Sequence, residues 1–386
     1  MPSPIQMTRT SPTRVLDAKL FDRVMNAQHR ASLVPSRCFL HRKLAEQMMD
    51  RRSFVKRETP VVLEVGAHSG WFLREMVRQK KFFGCKQYIQ TDTSEEALNR
   101  IYNDVKDELP AGMEFVQICC DEEEPGALGI PSRSVDMAVS NLSLHWANEL
   151  EPTLINIRNA LKRDAFLLAS ILGGNTLYEL RSAFTLTDLE VRGGVSPHVS
   201  PMLDGAGVSE LVMQSGFALP NIDMDRYVLS YESPFHLMEH LRDMGETACH
   251  LQRTAFLGRS SLTAMASVYE RLYAKDGLCP ATFEVFHTIA WSPSPTQPKP
   301  LERGSAQVSL TQVTTTLHRE FQQALVDSSK KPDDVELQRK AEELYARLQE
   351  AMKEEQEGRG METDIDKQLA ASKSKHKQPA PPERNR

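Results

Sequence analysis

An open, doubly wound α/β fold, with a parallel sheet and helices on both faces, is predicted by three features of the sequence. Apolar runs of strand length recur between residues 58 and 172. Each is followed by a stretch of helical periodicity, and the first ends in a glycine-bearing turn, Glu64-Val65-Gly66-Ala67-His68-Ser69-Gly70. Parallel strands are buried on both faces and read as near-continuous apolar runs, and the crossovers that join them are usually helices.

Taken in order, residues 15–52 predict two helices divided by Pro35, because Leu16, Leu20, Val24 and Ala27 recur at helical spacing. They form an amino-terminal helical cap over 17–57. Val61–Val65 is the first strand, and a helix follows from Gly70 to Arg78. Strand 88–92, helix 94–103, strands 113–118 and 135–140, a helix from Pro152 to Leu161 and strand 165–172 complete the alternation. Residues 173–204 are rich in Gly, Ser and Pro around one helical piece and predict a substrate loop inserted over the carboxyl edge of the sheet. Helix 207–214, strand 222–231, helices 234–244 and 261–274 and strand 281–290 close a domain spanning 58–292. A proline-rich linker over 293–312 leads to a tail, 313–386, helical by composition up to 357 and then rich in Lys and Pro as disordered chains are.

Composition bounds the function. With 386 residues, 40% of them hydrophobic, the chain can bury a large core. A formal charge of −5 gives no overall drive toward nucleic acid, and none is expected as a partner. No apolar run approaches the roughly 18 residues that cross a bilayer, so membrane association is expected to be peripheral, through partners. Six cysteines without a CxxC pair predict reduced thiols rather than a disulfide framework. Residues 1–16 carry Arg9 and Arg14, several Ser and Thr and no acid, the composition of an organellar transit segment.

The turn after the first strand carries the first chemistry. Glycines there let backbone approach a ligand, and the helix amino terminus that follows favours an anionic group. The spacing is neither GxGxxG nor a P-loop, which favours a methionine carboxylate over pyrophosphate. Asp92, at the next strand end, is placed to accept ribose hydroxyls, and Asp121, after the third strand, to accept from an adenine amino group. In this order the set predicts S-adenosylmethionine (SAM) bound by Glu64, Gly66, His68, Gly70, Asp92, Asp121 and Asn141, in a Rossmann-like class I methyltransferase sheet.

Longer motifs add a resemblance. LFDRVMNAQHRASL (20–33), SNLSLHWANELEPTL (140–154), GGNTLYELR (173–181), GGVSPHVSP (193–201), MEHLRDMGE (238–246) and ERGSAQVS (302–309) make the chain resemble the mitochondrial complex I assembly factors of the arginine-hydroxylase type. More distantly it resembles the malonyl-carrier-protein methyltransferases of biotin synthesis. The resemblance covers roughly residues 15–310. It implies a matrix protein, peripheral to the inner membrane, that hydroxylates an arginine on an iron–sulfur subunit of the quinone-binding module of complex I alongside other assembly factors. SAM-dependent methylation of a protein or carrier-bound acid is one alternative. A non-catalytic assembly scaffold is the other, because His68 stands where the family usually has the middle glycine of three, and its side chain crowds the cofactor's approach.

The remaining candidates lie toward the substrate. His145, after the fourth strand, is placed to relay protons, and Trp146 to wall the substrate side. Glu179 or Glu246 would suit a substrate guanidinium, which prefers a two-pronged carboxylate. Arg181, Ser196 and His198 complete the expected substrate contacts. His236-Leu-Met-Glu239-His240 matches the inverted zincin pattern, and His318-Arg-Glu320 part of an iron triad, but neither has the further ligand a site requires, so no metal site is predicted. Nothing in the sequence marks a place for iron, flavin or haem, and SAM is not an oxidant.

Overall fold

Asp22 opens the first helix: its carboxylate accepts from the Met25 N–H, and α1 (Arg23–Ser32) carries His29 and Arg30 in its last turn, where cations suit the helix dipole. The structure, a computed structural model, describes residues 20–298 except 125, 254 and 255, and in the tail residues 310–330, 336, 339–340, 342–349 and 351–352. The predicted transit segment, most of the end of the linker, and residues 353–386 lie outside them. A second helix, α2 (Phe39–Phe54), completes the cap.

The alternating region then follows as β1 (Val61–Val65), α3 (Trp71–Gln79), β2 (Gln87–Asp92), α4 (Glu95–Val105), β3 (Glu114–Cys119), β4 (Val135–Asn141), α5 (Leu150–Ala160) and β5 (Leu161–Leu172). The substrate-loop region contains α6 (Tyr178–Arg192) and leads to α7 (Gly205–Gln214). Next come β6 (Ala218–Tyr231), α8 (Pro234–Asp243), α9 (Arg259–Tyr273) and β7 (Cys279–Trp291).

Seven strands form one sheet in the order β3-β2-β1-β4-β5-β7-β6. The pairs among β1 to β5 are parallel, as the alternation over 58–172 predicts, while β7 runs antiparallel to both β5 and β6. Antiparallel neighbours need only a link that starts and ends at one edge, which α8 and α9 supply, and apolar periodicity does not encode strand direction.

Both faces are covered. Val62, Met137, Val139 and Phe166 pack under α2, α3 and α4, while Leu63, Val65, Ala138 and Leu167 pack under α5 and α7. A third cluster joins α6, α8 and α9 to β7 and to the end of β5, building a wall above the carboxyl edge. Strand order reverses between β1 and β4, and in such sheets the crevice at that reversal, outside the carboxyl ends, is where ligands bind.

The chain divides into two units, 1–297 and 298–386. In the second, α10 (Leu310–Lys330) contributes Leu317 and Ala324 to a small cluster with Leu344, Leu348 and Ala351. His318 and Glu320 are exposed on this helix. Among the described residues no helix is long and apolar enough to cross a membrane.

Candidate functional site at the carboxyl edge

Gly66, His68 and Gly70 form the tight link from β1 to α3, all with positive φ (+62°, +55° and +68°). A Cβ on Gly66 would run into Ser143 Oγ, and one on Gly70 would press on the side chain of Ile101, so both glycines are required by space as well as by conformation. His68 pays the strain of a left-handed L-residue, and its N–H donates to Asp92 Oδ2 at 2.8 Å.

Asp92 and Asp121 do stand at adjacent strand ends, and α1 reaches over both. Arg30 is fully buried. Its Nη1 donates to Asp92 Oδ2 at 2.9 Å, and its Nη2 to Ser143 Oγ at 2.7 Å. The other Asp92 oxygen accepts from Ser94 N–H at 2.8 Å. Two helical turns back, Arg23 pairs with Asp121 at 3.1 Å and Glu122 at 2.8 Å. Burial works against the charge of Arg23, but Glu122, Asp121 and Glu123 together outweigh it and hold the guanidinium protonated.

Two expected cofactor residues face elsewhere. Glu64 lies within β1, where alternation turns it with Val62 toward the α3 and α4 face; it accepts from Tyr88 Oη at 3.0 Å and Gln90 Nε2 at 2.7 Å. Burial pushes its carboxyl up to about 7 in spite of those donors. Asn141 ends β4 and donates to the backbone carbonyl of His41 at 2.9 Å while accepting from Ser170 Oγ. It anchors α2.

That anchoring matters because His41 and His68 stack at 4.3 Å with nearly parallel rings, both buried. Their Nε2 atoms face Glu246 Oε1 at 3.6 and 3.9 Å, too far for hydrogen bonds. Oε2 of the same carboxylate contacts His145 Nε2 at 3.1 Å and accepts from Trp146 Nε1 at 3.2 Å. Burial, then the neighbouring His41 and Arg30, hold His68 well below its ordinary value, so its imidazole is neutral. Burial alone would raise Glu246, but the adjacent His145 outweighs it and keeps the carboxyl ionised.

Beside this group opens a cavity of about 290 Å³. Leu177, Leu180, Phe184, Met238 and Phe283 give it apolar walls, Glu246 is the carboxylate on its lining, and Trp146, His198 and Arg253 complete the polar side. His198 stacks on Phe184 at 4.3 Å and is held by Asp188 at 2.8 Å, which also accepts from Ser196 N–H. Arg181 is spent on the carbonyls of Gly174, Thr176 and Ser200 and ties the loop down. Glu179, expected to await a guanidinium, instead accepts from Thr282 N–H and Oγ1, clamping α6 to β7. The zincin-like pair is likewise occupied or exposed: His240 bonds Tyr231 and the Arg37 carbonyl, and His236 is an exposed side chain.

The sequence reading missed Arg23, Arg30 and His41. A signal existed for the first two: arginines seven residues apart share one helix face, and that face is the one α1 turns inward.

Residues 63–169 match the family model described as methyltransferase domain. The chain is similar to arginine-hydroxylase NDUFAF5, mitochondrial, of Rattus norvegicus, with 36% identity over 272 residues covering 70% of this chain and 75% of the rat protein. The corresponding Danio rerio protein is 33% identical over 299 residues, covering 75% of this chain and 88% of its own length. A malonyl-[acyl-carrier protein] O-methyltransferase of Gallionella capsiferriformans is 29% identical over 259 residues, covering 66% of this chain and 85% of that enzyme.

Proposed function

Because the chain belongs to the NDUFAF5 arginine-hydroxylase family, within the class I methyltransferase-fold proteins, we propose that it hydroxylates an arginine side chain on a partner protein. By the resemblance, that partner is an iron–sulfur subunit of the quinone-binding module of complex I, met in the mitochondrial matrix with other assembly factors at the inner membrane. One observation carries the reading: among the described residues, the cavity lined by Leu177, Leu180, Phe184 and Phe283 has one lining carboxylate, Glu246. Apolar walls suit the methylene stem of arginine, and an ionised carboxylate at one side draws its cationic end inward.

SAM is the cofactor that a methyltransferase domain implies. As arranged, the residues do not fit its nucleoside. Both oxygens of Asp92 are taken, by Arg30, His68 N–H and Ser94 N–H, and Arg30 fills the space between Asp92 and Ser143. A ribose would require α1 to withdraw. Oxygen insertion also needs an oxidant, which SAM is not.

Mass spectrometry of the partner subunit in cells depleted of this protein tests the reading. The target arginine should lose the mass of one oxygen and regain it on re-expression of the native chain. Re-expressed Glu246→Gln should restore roughly a tenth or less, since a contact to a charged group contributes about 1.5–3 kcal/mol. A target whose mass never changes would remove hydroxylation from the account.

A further inference from the structure

We infer that His41, His68 and Glu246 form a binding site for a divalent transition-metal ion beside the cavity, whose lining includes Glu246. One ligand atom from each lies within 4.8 Å of those from the other two. Two imidazoles and one carboxylate are the donor set that holds ferrous ion in non-haem oxygenases and that also suits zinc, cobalt or manganese.

A second, independent observation points to a ligand. His41 Nε2, His68 Nε2 and Glu246 Oε1 are buried and have no hydrogen-bond partner, although both imidazole nitrogens lie near the carboxylate oxygen. A buried polar atom without a partner is costly, and three lying so close together leave that cost unexplained by protein groups alone. An ion at about 2.0–2.2 Å from each donor would satisfy all three once the two imidazoles rotate out of their nearly parallel stack, so that both in-plane lone pairs meet at the ion.

The surroundings are those of a supported site. Asn141 holds the His41 backbone, and the His68 backbone is pinned to Asp92. Oε2 of Glu246 is fixed by His145 and Trp146, which aims Oε1 at the two imidazoles. These contacts fix the backbone of the two histidines and the carboxylate, while both ring Nδ1 atoms are buried without a partner. Gly245 leaves room at the same spot, since a Cβ there would come within 3.1 Å of His68 Nε2. His68 thereby gains a use in the turn between β1 and α3. The ligands come from three distant segments, so no short motif announces them.

The inference concerns an ion and does not need the hydroxylation reading, although both draw on Glu246, whose unpartnered Oε1 would be held by the ion. Chelator-treated, full-length protein is dialysed against micromolar Co(II) without oxygen, and the retained metal is measured by elemental analysis and by its visible absorption. One ion per chain is expected, with nitrogen and oxygen ligand bands and no thiolate charge transfer. His68→Gly suits the positive φ and should lower affinity roughly tenfold or more, as should His41→Gln, whereas a His236→Ala, His240→Ala double variant should bind as the native chain does. X-ray absorption of the native cobalt protein needs no variant and should show two imidazoles in the first shell. No retained ion, retention unchanged in both single variants, or a first shell of sulfur overturns the site. A negative titration beside a positive mass-spectrometric result would remove the ion and leave arginine hydroxylation standing.

Discussion

Two stretches of one sheet edge have opposite characters. Over β1, β2 and β3, where the fold class ordinarily takes a nucleoside, α1 lays Arg30 on Asp92 and Arg23 on Asp121 and Glu122, and the edge is filled by buried ion pairs. Past β4 and β5, under α6 and α8, the edge is hollow and mostly apolar around Glu246. A shared architecture therefore says little about which half of the edge is open; the side chains that the cap contributes decide it.

Arg30→Met strikes at this contrast with the largest expected effect. Removing one partner of a buried pair leaves the Asp92 charge uncompensated, which costs about 3–5 kcal/mol. Urea unfolding of the native and variant chains measures it. A loss below about 1 kcal/mol would mean that the pair is hydrated and the edge open, and the two halves would no longer differ as described.

Glu64 sharpens the comparison from inside the filled half. Its folded value, pushed up to about 7 by burial, lies above the 4.5 of an unfolded carboxyl. The folded state thus holds the proton more tightly, so this contribution is fully present below pH 4.5 and is lost as pH rises through 7. Glu64→Gln keeps an acceptor for Tyr88 and Gln90 and never ionises. The variant should match the native chain near pH 4.5 and exceed it above pH 8, by about 3 kcal/mol at most. A difference that stays constant from pH 5 to pH 8.5 would show that the carboxylate is solvated or paired.

The same residue marks the limit of what the sequence reveals. The strands between 61 and 172 were legible because burial on both faces leaves unbroken apolar runs, and the position of Gly66, Asp92 and Asp121 at one edge was legible because strand ends in a parallel sheet share it. Glu64 was assigned to the ligand from its nearness to the turn, whereas two-residue alternation within β1 points it with Val62 into the helix-covered face. The reversed β7 and the meeting of His41 with His68 and Glu246 depend on how distant segments pack, which no local period carries. Glu179 illustrates the same limit: an acid next to a predicted substrate loop was equally compatible with a guanidinium and with Thr282.

The smallest effect is expected in the open half, at Asp188. Its Oδ2 accepts from Ser196 N–H at 2.9 Å and contacts His198 Nε2 at 2.8 Å, and these two bonds hold the 193–201 loop against α6. Asp188→Asn keeps the shape but removes the charge, so global stability should fall by only about 1–2 kcal/mol. The loop should respond more than the whole. His198 forms part of the cavity wall through its stacking on Phe184, and loosening it frees backbone amides near Ser196 without touching the strands. Hydrogen exchange should therefore quicken in residues 193–200 while β1, β2 and β3 keep native protection. Equal acceleration in both regions would mean that the hollow and the filled halves open as one unit, and that the contrast between them is one of shape without a difference in local stability.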